Sequence, residues 1–203
     1  MKVRSDSFDD NARIPGEFAY GVPDAVHHVR AGANHNPHLA WDDVPAETRS
    51  FAVVCCDIDV PRTGSEANIE GLTIPQESPR ADFYHLVLFD IPVGVRQIAA
   101  GSLRRGVTTH GKPGPTAPHN ARYGLNDFSS EGIDHYGYDG PCPPWNDQRI
   151  HRYVFTVYAL DAERLPLRQG VTGKQLRQAM IGHILGQAEL VGTYTLNPGL
   201  NPS

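Results

Sequence analysis

From Phe51 to Cys56 six consecutive positions are apolar, and a run of that kind, rich in β-branched and small side chains, predicts a strand covered on both faces. FYHLVLFDI (83 to 91), closed by Pro92, predicts a second strand, and RYVFTVYAL (152 to 160), dominated by Tyr, Val and Phe, a third. ELVGTYTL (189 to 196) reads as a strand as well. The period changes in TGKQLRQAMIGHILGQ (172 to 187), where Leu176, Met180, Ile181, Ile184 and Leu185 share one face at helical spacing. Thr172 and Gln175 form a capping-box pattern there, and Gly186 offers a stop. One late helix on a strand-dominated chain predicts a mainly β fold, either a β-sandwich or an α+β arrangement.

Between these runs the pattern breaks down. The first forty residues show little periodicity beyond a short strand expected around Glu17 to Val22. PRTGSEANIEGLTIPQESPRAD (61 to 82) reads as a long connection, and Gly101 to Pro118 and Asn120 to Asn146 as loops. Ordered loops of such length tend to be functional. No internal repeat or low-complexity tract interrupts the 203 residues, which are expected to form a single domain, 1–203.

Composition narrows the class. Hydrophobic residues make up 39 % and charged residues 20 %, with 17 Pro and 20 Gly, which suits a globular, turn-rich chain. A formal charge of −5 argues against a surface that neutralises nucleic-acid phosphates, so no nucleic-acid partner is expected. No apolar run reaches the ~20 residues of a bilayer-spanning helix, and the opening MKVRSDSFDDNARI lacks the apolar core of a secretory signal. Three cysteines, two of them adjacent, point to a reducing compartment, the cytoplasm.

The chemistry gathers at strand ends. Asp57 and Asp59 leave the end of the 51–56 run, whereas His85 and His151 stand near the starts of the next two strong strands. Antiparallel neighbours set an end beside a start, so adjacent strands would collect all four groups at one sheet edge. Carboxylates raise the pKa of a neighbouring imidazole and orient it, leaving ring donors ready for a phosphate, sulfate or carboxylate. Backbone amides of Gly137 to Gly140 are expected to add donors, prolines 61, 141, 143 and 144 to stiffen the walls, and the Val60–Pro61 bond to be cis in its tight bend.

Blander readings stand beside these. Strand-end histidines are often structural, and Asp before a Pro-containing bend often only caps a turn. Arg152 reads as a solvated charge or a partner for an aspartate. Cys142, between prolines and with no evident oxyanion loop, reads as inert, and His27, His28, His35 and His38 as a surface cluster lacking orderly ligand spacing. GKPGP (111 to 115) lacks the Walker pattern.

DIDVP (57 to 61), FYHLVLFDIP (83 to 92), GLND (124 to 127), GYDGPCPP (137 to 144) and HRYVFTVYALD (151 to 161) together resemble the phosphatidylethanolamine-binding protein family, which includes the Raf kinase inhibitor proteins, and its bacterial and archaeal branch in particular. The resemblance runs from about Asn36 to Tyr194 and implies an antiparallel β-sandwich with Greek-key connections. It also implies a small pocket for phosphate or a phosphorylated headgroup, a possible homodimer, and partner regulation without established catalysis. By this resemblance Asp57, Asp59, His85, Pro143, Pro144, His151 and Tyr153 line the pocket, with no cofactor and no metal. The chain departs from the pattern at Ile58, where proline is usual, in its longer 61–82 connection, and in the WNDQRI spacer before His151.

The leading expectation is therefore a non-catalytic protein that binds a small anion and regulates a protein partner. The alternative is a metal-dependent phosphoester hydrolase built on the same His/Asp cluster.

Overall fold

The computed structural model describes residues 1–103 and 105–200. The strands run, in chain order, β1 (Lys2–Arg4), β2 (Gly21–Asp24), β3 (His28–Ala31), β4 (Leu39–Asp42), β5 (Ser50–Pro61), β6 (Arg80–Pro92), β7 (Gln97–Ile98), β8 (Arg122–Tyr123), β9 (His151–Leu160) and, after helix α1 (Gly173–Met180), β10 (Ile184–Tyr194). Three antiparallel sheets result, ordered β10-β9-β5-β6-β8, β1-β4-β7 and β2-β3.

The long apolar run of β5 has a direct cause: it is central in the five-stranded sheet and buried on both sides. Phe51, Val53 and Cys55 face one core cluster with Leu39 and Trp41 of the three-stranded sheet, and the Trp41 and Phe51 rings meet edge-on at 5.4 Å. Ala52, Val54 and Cys56 alternate onto the other face, where Leu176 and Met180 of α1 cover them. A sheet sandwiched in this way has no solvent face, hence no polar alternation.

Helix α1 is shorter than its periodicity predicts. The Thr172/Gln175 capping box forms as expected, but the helix ends at Met180, well before Gly186: the chain turns extended at Ile181 and Gly182 takes φ +85°, a left-handed conformation. Ile184 and Leu185 consequently belong to β10, and Ile181 is 67 % exposed. The strand expected at Glu17 to Val22 is also different: Gly16–Phe18 forms a 3-10 turn, and pairing begins only at Gly21. Pro61 is not preceded by a cis bond but ends β5 opposite Arg80; Gly114–Pro115 is cis instead.

Candidate functional site

Strand adjacency, which sequence polarity alone leaves open, is resolved by the register. β5 lies between β6 and β9, and Asp57 stands opposite Phe83 on one side and Tyr153 on the other. His151 opens β9 two residues before Tyr153, and its Nδ1 donates to Asp57 Oδ2 at 2.7 Å. Both side chains are buried.

His85 is placed by a defect in the ladder rather than by a strand start. Cys55 pairs with Leu86 and Cys56 with Tyr84, so His85 is the extra residue of a β-bulge in the middle of β6. A bulge re-aims a side chain and shifts the alternation: Tyr84 belongs to the helix-side cluster and Leu86 to the opposite one. The imidazole sits among three aromatic rings, with centroids 5.1 Å from Phe83, 5.4 Å from Phe128 and 5.1 Å from Tyr153. Its Nδ1 lies 2.6 Å from the carbonyl oxygen of Asp139. A carbonyl only accepts, so Nδ1 carries the proton and Nε2, with no hydrogen-bond partner among the described residues, is the nitrogen left for a ligand.

Electrostatics separate the two histidines. Burial pushes the His85 pKa down, against the pull of Asp57 and Asp139. His151 is also opposed by burial, but hydrogen bonds to Asp147 and Asp57 outweigh it and raise its pKa to about 9. The Tyr153 hydroxyl is buried and completes no hydrogen bond of full geometry, but it lies against the Asp57 carboxylate; burial first, then the Asp57 charge and that contact, hold its pKa well above the usual phenol value.

Asp59 does not join the histidines. A further register shift, between Asp57 and Val60, turns it away, and its carboxylate takes Arg152 through Nε at 2.8 Å and Nη2 at 3.0 Å, with Arg149 Nη1 at 3.1 Å. Burial notwithstanding, these guanidinium groups hold its pKa below the usual carboxylate range. Pro143 is buried and Pro144 half-buried; the Pro144 carbonyl accepts the Asp147 N–H at 3.1 Å, opening the turn that carries Asp147. Three of the four amides expected to serve as donors are spent inside the fold: Tyr138 N–H on Leu103, Asp139 N–H on His85 and Gly140 N–H on Asn34. Cys142 stays a thiol, its pKa pushed up by burial to about 11.

Two acidic residues that sequence reasoning passed over organise the region. Asp139 is fully buried and receives Asn34 at 2.8 Å, Lys112 at 2.7 Å, Asn126 at 2.9 Å and His135 at 3.1 Å, while its carbonyl holds His85. Asp147 faces His151 Nε2 at 3.1 Å and is gripped by both outer nitrogens of Arg80. Each lies in a Gly/Pro-rich loop beside a strand, the one signal that pointed to them. Phe83 and Phe128 were likewise passed over, because nothing local marks an apolar side chain as a pocket wall. The arrangement offers one unpartnered imidazole nitrogen and one unpartnered phenol beside a compensated carboxylate, a set suited to hydrogen-bonding a small polar group.

Comparison with known proteins agrees with this architecture. Residues 4–195 match the family model described as phosphatidylethanolamine-binding protein. The UPF0098 protein of Methanothermobacter thermautotrophicus is 31% identical over 194 residues, covering 96% of this chain and 98% of the relative. The UPF0098 protein YbhB of Escherichia coli is 33% identical over 195 residues, covering 96% and 100%. Among solved structures, E. coli YbcL, described as a new member of the mammalian PEBP family, superposes with a TM-score of 0.70 at 26% identity, covering 96% of this chain and 97% of that one. A PEBP homologue of Chlamydia trachomatis gives a TM-score of 0.64 at 30% identity, with 95% of each chain covered.

Proposed function

We propose that this chain, which belongs to the phosphatidylethanolamine-binding protein family, captures a small phosphate-like anion at His85 and Tyr153 and uses its occupancy to regulate a protein partner. The observation that carries the reading is the pair of polar atoms without partners: His85 Nε2, its other nitrogen fixed on Asp139, and the buried Tyr153 hydroxyl, on rings 5.1 Å apart. Buried polar groups are normally paired, so two such atoms side by side in an aromatic cage suit a ligand oxygen.

The Asp57 carboxylate would repel an anion if it stood alone. It does not, because His151 donates to it from 2.7 Å and carries the compensating charge. The remaining attraction comes from His85 itself, which donates from Nε2 only when protonated. Since burial depresses its pKa, anion capture draws a proton with it and weakens as pH rises.

The metal-hydrolase alternative gains no support from the geometry. Asp57, His151 and Asp147 are spent on one another, and among the described residues no three His, Cys, Asp or Glu side chains are grouped to hold a metal ion.

The test is a titration of the protein with inorganic phosphate and with phosphorylethanolamine, followed by histidine NMR at about pH 6. A saturable His85 shift, an increase in the His85 pKa on saturation, and loss of the response in His85→Ala are expected. A wild type that shows no saturable response to either ligand overturns the proposal.

A further inference from the structure

The WNDQRI spacer that departs from the family pattern does something specific: it sets Asp147 against the second nitrogen of His151. We propose that Asp147 and Arg80 are positioning residues that reserve His151 as a fixed charge, with both of its N–H groups spent on carboxylates, so that the anion is contacted by His85 and not by His151. This rests on the anion-capture reading and assigns the two histidines different tasks within it.

The geometry carries the assignment. An ionised carboxylate only accepts hydrogen bonds. His151 presents Nδ1 to Asp57 at 2.7 Å and Nε2 to Asp147 at 3.1 Å, so both nitrogens bear protons and the ring is an imidazolium with no donor left over. Asp147 cannot readily swing aside, because its own ties are dense. Arg80 grips both carboxylate oxygens, the Arg149 N–H donates to Oδ1 at 2.9 Å, and Asn197 donates to the Asp147 carbonyl at 2.8 Å. The Arg80 side chain in turn is largely buried and donates to the carbonyls of Asp59, Pro75, Gln76 and Ser78. An arginine fixed by four backbone oxygens and a carboxylate behaves as part of the scaffold.

The groups around His151 come from every neighbouring element. Asp57 faces it from β5, Asp147 from the preceding loop and Arg80 from the start of β6, behind Asp147. Tyr153 follows on β9, and Tyr194 lies opposite on β10. Two carboxylates balance one imidazolium and one guanidinium, so the cluster is neutral. An anion approaching His85 therefore meets a compensated Asp57. Without Asp147, His151 would have Nε2 free and a weaker hold on its proton, and it would become a competing ligand.

The pair is tested by ¹⁵N imidazole NMR on the full chain, with inorganic phosphate as the probe. In the wild type, both His151 nitrogens should read as protonated through about pH 8 and stay unmoved at saturating phosphate while His85 shifts. In Asp147→Asn, the His151 midpoint should fall by about one pH unit or more, a differential interaction of about 1.4 kcal/mol, and its Nε2 should begin to follow phosphate. Asp147→Glu should restore the wild-type midpoint. A purely structural Asp147 would change thermal stability and leave these histidine readouts where they were. A neutral His151 Nε2 in the wild type at pH 7, a His151 response to phosphate as large as that of His85, or an unmoved midpoint in Asp147→Asn overturns the inference. The wild-type measurement alone decides it should the variants not fold. If phosphate moves no histidine, the capture reading falls, whereas the ligand-free His151 midpoint still judges the clamp.

Discussion

His85 and His151 are buried to a similar degree, yet their pKa values are pushed in opposite directions, because two carboxylate partners outweigh burial at His151 and burial prevails at His85. For His151 the folded pKa of about 9 exceeds the ordinary 6.5. Its contribution to stability is therefore full below about pH 6.5 and is lost as pH rises through about 9. The size is on the order of 3 kcal/mol. Urea unfolding at about pH 6 and about pH 9.5 should show this loss, and it should shrink in Asp57→Asn, where the ring keeps one carboxylate. His85 works in the other sense: its pKa is depressed, so its stabilising effect is present above about pH 6.5 and is lost as pH falls below that. Asp57→Ala should cost about 3–5 kcal/mol in the same assay, because it strips one partner from a buried ion pair. Asp57, His85 and His151 were legible in the sequence from their places beside apolar runs. Asp139 and Asp147 were not, because a carboxylate in a loop gives no sign of which distant cation it meets.

Among the elements, the 62–79 connection is held to the 145–149 turn by Asn146. Its side chain donates to the carbonyls of Glu66 and Leu72 at 2.8 and 3.1 Å and accepts the Asn68 N–H at 2.9 Å. Trp145 reinforces the junction: its N–H donates to Asn68, and its ring stacks on His28, whose Nε2 reaches Glu70 at 3.1 Å. Asn146→Ala should remove these backbone hydrogen bonds, cost about 0.5–1.5 kcal/mol for each, and raise amide exchange across 62–79 before it does so in β5. Exchange that rises uniformly, or not at all, would mean that the connection is held elsewhere. The helix offers a smaller effect. Thr172→Ala removes the cap that accepts the Gln175 N–H and should cost about 1 kcal/mol, read as a lower melting temperature. Strong strands and the capping box were plain in the pattern, whereas the bulge at His85 was not. FYHLVLFDI carries no glycine or proline to announce a shift of register, and only pairing with β5 creates it.

Taken whole, the molecule is a sheet covered on both sides, with the candidate site at the edge where β5 ends and β9 begins. Leu176, fully buried in the helix-side cluster, links α1 to Val54, Val87 and Phe89 across that sheet. Leu176→Ala should destabilise the protein by about 2–5 kcal/mol, measured as a lower denaturant midpoint. Under folding conditions the His151 midpoint should stay near its wild-type value, because the Asp57–His151–Asp147 clamp is built on loops and strands outside that cluster. A Leu176→Ala variant whose His151 titration moves with its stability would show that helix packing and the clamp are coupled. No described helix is long and apolar enough to cross a membrane, as the sequence led us to expect.

Hydrophobic period and turn chemistry are local quantities, so the chain alone specified its mainly β class, its strongest strands, the start of its helix and the polar groups at strand ends. Which strands are neighbours, where a ladder slips by a residue and which loop acid closes on which histidine depend on contacts between distant positions, 94 apart for His151 and Asp57. Those arise only when burial on both faces of β5 forces β6 and β9 alongside it. The same folding turned Asp59 to its arginines and gave His151 a second carboxylate.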